Sequence, residues 1–531
     1  MNLLYLGSTS VCLELENHNP YYSAEEYGVS LDGAKLYSAN TNVFSVFDLK
    51  PDTEYQVKVS MASGSEETVS FRTKTETCCV NVKDFGAAGD GVHEDTAAIQ
   101  TAINMLPEGG RLYFPEGTYR TLPLTLKSHT TLDLSENAVL QAIPDRDRYP
   151  IIPAFTVDPV TEKEVPFAGF EGLEIPCYQS FLHASYAEDI AVVGKGTING
   201  GGKEGGWWVD FKSFPAARGR MVFVNRCKDV TLHGITIENS PSWNLHPYFS
   251  ENFSVYGCTV RAPKDSPNTD AIDPESCDGV NIIGCLLTVG DDCIAVKSGK
   301  IDMAKKYKTP ADHHVIRNCL MQFGHGAVTL GSELAAGIRN LSVTQCYFEG
   351  TDRGLRIKSR RGRGKDSVIT NVLFDNIRMD GVLTPLVVNM WYNCVDPDRY
   401  TEYVWSREKL PVDDRTPSMG SLAFKNMECT NAEVAACYTH RNLPFPGYID
   451  GLPESPVEAV TLENIHISFA EDAKPGKPSM KNFAEDCCKM GLYLDNVKQI
   501  RIKNVTLDGV VGEKLIVDHC DSLETEGFDG E

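Results

Sequence analysis

No apolar run in the 531 residues approaches the ~18–20 needed for a membrane-crossing helix. Positive charge is scarce too: 50 Lys+Arg stand against 73 Asp+Glu, a formal net charge of −23. That deficit argues against a nucleic-acid partner or an anionic membrane surface, although a local basic patch can survive inside it. The opening MNLLYLGSTSVCLELE has no Lys or Arg ahead of its short apolar stretch and no run-up to a cleavage site. It does not read as a secretory signal, and the expected location is cytoplasmic, with secretion following only if the true start lies upstream. Seventeen cysteines cannot all pair within one chain, and in a reducing compartment buried thiols act as small hydrophobes. Hydrophobic residues at 42% and charged residues at 23% exclude wholesale disorder.

Two regions separate along the chain. In residues 1–76, Val43–Phe47, Tyr55–Val59 and the pair Val69 and Phe71 alternate with the period of half-buried strands. Between them, Leu49-Lys50-Pro51-Asp52-Thr53-Glu54-Tyr55 resembles the fibronectin type III family, in which a Tyr at a strand start bonds back to the backbone. The resemblance implies a small β-sandwich, with Lys74–Cys79 as linker and no catalytic constellation. Downstream, Asp95 is placed to N-cap a short helix whose Ile99 and Ile103 share one face, a cap for the open end of a β stack.

From residue 80 onward the dominant feature is a repeat: apolar, x, apolar, x, x, small or apolar, x, apolar. It fits Val230/Leu232/Ile235/Ile237, Phe253/Val255/Cys258/Val260, Val280/Ile282/Cys285/Leu287 and Leu341/Val343/Cys346/Phe348. It fits again at Val372/Phe374/Ile377/Met379, Val460/Leu462/Ile465/Ile467 and Ile500/Ile502/Val505/Leu507. His314/Ile316/Cys319/Met321 breaks it only at the first position. Each copy is a strand, a bend and a strand that cannot bury its apolar face alone and must stack on neighbours. The expected fold is all-β: a right-handed parallel β-helix over residues 80–531, preceded by the small β-sandwich. A leucine-rich repeat would need an asparagine ladder with helical returns, and a propeller its WD or kelch signatures. Stacking would align Cys258, Cys285, Cys319 and Cys346 as a column of packed thiols rather than a metal site.

Four polar segments follow their repeat copies at similar phase: Asn268-Thr269-Asp270, Gly290-Asp291-Asp292-Cys293, Gly324-His325-Gly326 and Arg356-Ile357-Lys358. Coils ~4.8 Å apart would gather them on one exposed strip. Carboxylates there suit glycoside hydrolysis, in which one protonates the leaving oxygen and another activates water or attacks. Crowded carboxylates cannot all ionise, and the cations suit an acidic sugar.

In this order the four segments resemble the polygalacturonase family, glycoside hydrolase family 28, over most of residues 80–510. The resemblance implies inverting hydrolysis without metal or organic cofactor. By motif, Asp291 would be the general acid, and Asp270 and Asp292 would hold and deprotonate the water. His325 would tune the acid, Asn268 would line the substrate site, and Arg356 and Lys358 would bind a uronate carboxylate. Tyr392, in Asn389-Met390-Trp391-Tyr392, stands where the family has a substrate-contacting Tyr. His246 lies one coil before Asp270 and either floors a neighbouring subsite or serves packing. Seven of the thirteen residues 353–365 are basic. This run marks Arg360 and Arg361 as binders of a polyanionic sugar.

The insertion 141–185, and about 60 residues from Asn393 to Pro453, would wall off one end of a cleft, which favours exo action on galacturonate oligomers. The alternatives are a rhamnogalacturonan or unsaturated-galacturonide hydrolase of the same family, a calcium-dependent pectate lyase, and a non-catalytic pectin-binding β-helix.

Overall fold

The computed structural model describes residues 1–392, 401–434, 436, 451–476 and 486–529. Near the N-terminus, Asn2–Leu6, Val11–Glu14 and Val43–Val46 form one antiparallel sheet. Ala34–Thr41, Tyr22–Leu31, Glu54–Met61 and Glu66–Arg72 form a second. Their inward residues, among them Val11, Leu13, Val29, Phe44, Val57 and Val59, make a core of their own. Tyr55 Oη accepts a hydrogen bond from the Lys50 amide at 2.9 Å. The strands at 22–31 and 34–41 are not legible in the pattern, because their side chains are largely polar or exposed.

The remainder winds as a parallel β-helix. Its register aligns the first template position coil by coil: Val230 with Phe253, then Val280, His314, Leu341 and Val372. The column continues through Leu422, Val460 and Ile500. Leu422/Phe424/Met427/Cys429 is thus a further copy of the repeat, within strand Ser421–Ala432. The region that the sequence assigns to a 60-residue insertion therefore contains a strand of the coil; the charged, proline-containing stretch before it obscures the pattern. His314 occupies its apolar position buried, sharing a 3.2 Å hydrogen bond with the Cys277 carbonyl.

Cys258, Cys285, Cys319 and Cys346 form the expected interior column and are almost fully buried. Their thiols donate to backbone carbonyls, and burial pushes the Cys258 thiol up to about 12. An asparagine ladder is present after all: Asn504 donates to Asn464 at 3.0 Å, and Asn464 to Asn426 at 2.9 Å. All three adopt left-handed backbone at the bends, a conformation Asn tolerates. No helical return is needed for it.

Helix Thr96–Met105 buries Ile99, Ala102 and Ile103 against the first coils. Asp95 occupies its N-cap position, and its carbonyl accepts from the Ile99 amide, but its carboxylate turns back to accept from the Ala88 and Gly89 amides at 2.6 and 3.1 Å. The N-terminal sheets rest on the flank of the stack. Glu14 takes a forked pair of bonds from Arg317 at 2.7 and 2.9 Å, and Val43 and Phe47 lie where side chains on Gly284 and Gly234 would stand.

The third strand face carries Leu245–Tyr248, Ile294–Val296, Val328–Leu330, Arg353–Lys358 and Thr384–Asn389, with Ile272 and Glu275 bridging the first two. The functional strip lies along this face. Because coil stability comes from stacked apolar side chains, Phe348→Ala, in the sealed core, should lower unfolding free energy by ~3–5 kcal/mol. Leu523→Ala, at an exposed site, should stay within ~0.5 kcal/mol by denaturant unfolding.

Candidate active site

Alternation along the third face decides which side chains reach the surface. Leu355 and Ile357 point into the core, so Arg356 and Lys358 point out. Ile294 and Val296 point in, which turns Lys297 outward. The segments leading into these strands stack as well. The Ala271 amide donates to the Asp292 carbonyl at 3.1 Å, Cys293 to Gly326 at 2.8 Å and Ala327 to Arg353 at 2.9 Å. Residues distant in sequence thereby occupy successive rungs.

Together they line a cleft of about 610 Å³. The structure brings Asn268, Asp270, Asp291, Asp292, His325, Arg356, Lys358, Arg360 and Tyr392 to it. Each of Asp270, Asp291 and Asp292 offers an oxygen within 4.8 Å of the others. A cation could accept that spacing, but Asp292 already carries two positive partners. Arg356 Nη1 donates to its Oδ1 at 2.9 Å and Lys358 Nζ to its Oδ2 at 3.1 Å.

The three carboxylates have different electrostatic settings. Burial acts to raise Asp292, but Lys358 and Arg356 outweigh it and hold the group well below the usual carboxylate range. Asp270 has no such partner. Burial, reinforced by Asp273 and Asp291, pushes it well above its ordinary value. Asp291 is the more open of the cluster, and its Oδ1 accepts from the Asp292 amide at 3.0 Å. His325 Nδ1 stands 3.4 Å from the same oxygen, and that bond raises the histidine.

Arg356 and Lys358 line the cleft and are both directed at Asp292. Two expectations need correction. Arg361 does not reach the cleft. Its buried guanidinium clamps Glu454 at 2.6 and 2.8 Å and donates to the carbonyls of Ser406 and Tyr403. Neighbours on an extended chain face opposite ways, so Arg360 joins Arg356 and Lys358 at the cleft while Arg361 turns away from it. His246 is 1% exposed, and its Nε2 lies 3.1 Å from Glu275 Oε2 beneath the floor. Burial holds its pKa well below normal, so it packs as a neutral ring and floors no subsite.

The pattern also missed contributors. Lys297 follows Asp291 by six residues, and alternation from Ile294 was the available signal. Glu171 and Leu173 enter from the 141–185 insertion, whose length was the only hint. Trp243 and Glu333 carry no pattern that separates them from structural residues.

Burial pushes Glu275 up to about 8 from 4.5, so the folded state favours its neutral form. The stability this permits is complete below the unfolded value and is lost as pH climbs through about 8. Glu275→Gln should therefore show a smaller fall in thermal midpoint than wild type between pH 5 and 9.

Residues 170–403 match the model of Glycosyl hydrolases family 28, and residues 79–137 match that of Rhamnogalacturonase A/epimerase, pectate lyase-like. A probable polygalacturonase of Vitis vinifera is 30% identical over 406 residues, covering 74% of each chain. An endo-polygalacturonase of Pectobacterium carotovorum subsp. carotovorum is 26% identical over 350 residues, covering 63% of this chain and 79% of that protein. The family 28 exopolygalacturonase of Yersinia enterocolitica superposes with a TM-score of 0.69 at 19% identity, covering 99% of this chain and 98% of that one, and shares the fold. The chain belongs to glycosyl hydrolases family 28 and is a glycoside hydrolase of its polygalacturonase group.

Proposed function

We propose that the protein hydrolyses α-1,4-galacturonosyl linkages in oligo- and polygalacturonate, from a chain end and with inversion. The observation that carries this reading is the unequal setting of three neighbouring carboxylates in a cation-lined cleft. Asp291, open to the cleft and bonded to His325, is positioned to protonate the leaving oxygen. Asp292, held ionised by Arg356 and Lys358, accepts the proton of the attacking water, and Asp270 holds that water from the other side. Arg360 and Tyr392 meet the uronate, and Arg356 can share its fork with the substrate carboxylate on binding.

End-on action draws support from Glu171 and Leu173, which wall part of the cleft from the 141–185 insertion. Phe170 stacks on Trp243 with centroids 4.9 Å apart, and the Gly169 carbonyl accepts from Arg220 at 2.5 Å, which pins the wall to the coils. The fibronectin type III-like reading of residues 1–76 is part of this proposal and draws support from the Tyr55–Lys50 bond. A cytoplasmic setting, where the substrate would arrive as oligomers, draws support from the cysteine content.

Inversion rests on the family resemblance, since oxygens within 4.8 Å stand closer than the ~6.5–9.5 Å usual for inverting pairs. Time-resolved NMR of cleaved trigalacturonate should show the β-anomer first; an initial α-anomer would establish retention. Chromatography should show one small product accumulating from the outset, whereas a ladder of intermediate lengths would mean internal cutting.

Asp291→Asn should cost ~10²–10⁴-fold in kcat with the thermal midpoint kept. Arg360→Ala should raise KM. Arg361→Ala should instead destabilise by ~3–5 kcal/mol, because it leaves Glu454 buried without its partner.

A further inference from the structure

From Lys297 and Glu333 in the cleft lining, a network of charge continues inward to Asp273 and Glu275. Glu275 and Lys297 occupy adjoining rungs of the third face. The Lys297 ammonium stands 3.3 Å from Asp273 Oδ1 and 3.5 Å from Glu333 Oε2, with its side chain 5% exposed. The Trp243 ring covers it at 4.7 Å, and the Arg220 guanidinium lies 4.8 Å from that ring. Both carboxylate distances exceed the ~2.7–2.9 Å of a committed charge-assisted bond. Lys297 is thus shared among several acids, whereas Lys358 and Arg356 are each bonded to Asp292.

The acids around it need that charge. One oxygen of Asp270 and both oxygens of Asp273 are buried without a hydrogen-bond partner. Asp273 stands three residues beyond Asp270 on the same extended segment, so charge held near one is felt by the other. Burial raises both groups, and the Lys297 charge opposes that rise in each, as it does at Asp292. Glu333 is faced by Lys300, Lys358 and Arg363 as well, and His246 beside Glu275 stays neutral. Among the described residues, Lys297 stands in ion-pair range of Asp273 and Glu333, with Arg220 behind it, while Arg218 also acts on Asp270 and Asp291 from the far side.

We propose that Lys297 is a positioning residue for the hydrolytic water: seated between Asp273 and Glu333, it stabilises negative charge on the Asp270–Asp292 pair without binding the sugar. The inference rests on the hydrolytic reading above. It predicts a defect in turnover rather than in affinity, because Lys297 acts through the carboxylates that hold the water. Its loss should also make those carboxylates harder to ionise.

The test compares wild type, Lys297→Met and Lys297→Arg on trigalacturonate from pH 4 to 8, with thermal unfolding of each protein over the same range. Lys297→Met should lower kcat ~30–1000-fold with KM within about threefold, and move the acid limb of kcat/KM to higher pH. Lys297→Arg should recover at least about a tenth of the lost rate and restore the limb. A raised KM with kcat intact would make Lys297 a sugar ligand, and an equal loss at every pH would make it a structural filler; either overturns the proposal. Should Lys297→Met fail to fold, Lys297→Gln carries the same comparison. If wild type cleaves no galacturonate oligomer, the proposed function falls, and Lys297 is judged without substrate. Removing the ammonium must then steepen the loss of thermal midpoint as pH rises and the floor acids ionise unpaired; parallel profiles would overturn it.

Discussion

Coil-to-coil hydrogen bonding in strict register is the constraint on which the rest depends. Each strand bonds to its equivalents above and below, so a side chain's position within its coil fixes its position in space. Apolar residues at fixed phase become a continuous core, thiols become a column, and bend asparagines become a ladder. Polar residues at one phase of the third face become a cleft. A register slip of one residue would reverse the facing of every side chain on that strand and dismantle core and site together.

The cleft uses this register to keep like charges close without letting them behave alike. Asp292 lies where two outward cations from a later coil reach it, and so remains ionised. Asp270 sits one rung earlier, beyond their hydrogen-bonding reach and enclosed by protein, and so resists ionisation. Asp291, adjacent in sequence to Asp292, is turned toward His325 and the opening. Three chemically identical groups acquire different electrostatic settings through burial and partners alone. The shared Lys297 extends the same principle inward to Asp273 and Glu333.

How much of this was legible followed from how far each feature depended on local pattern. The repeat announced the coils because apolar spacing is a local property, yet the copy at Leu422 was hidden by the irregular stretch ahead of it. The phase of Asp270, Asp291, Asp292 and His325 was readable because each follows its copy at a short, similar interval. Arg360 and Arg361 looked equivalent in a basic run, but adjacent residues face opposite ways, and one lines the cleft while the other meets Glu454. His246 is level with Asp273 rather than Asp270, since Leu245 pairs with Ile272, and Trp243 packs edge-on against its ring.

By itself the sequence determined the β-helix, the strip of acids and cations along it, and the family to which they belong, because periodic burial and motif order are written along the chain. Tertiary structure alone decided which cation serves which carboxylate, that Glu171 and Leu173 line the cleft, and that a buried lysine stands between Asp273 and Glu333. Those outcomes depend on side chains meeting across coils and insertions, at distances no linear spacing encodes.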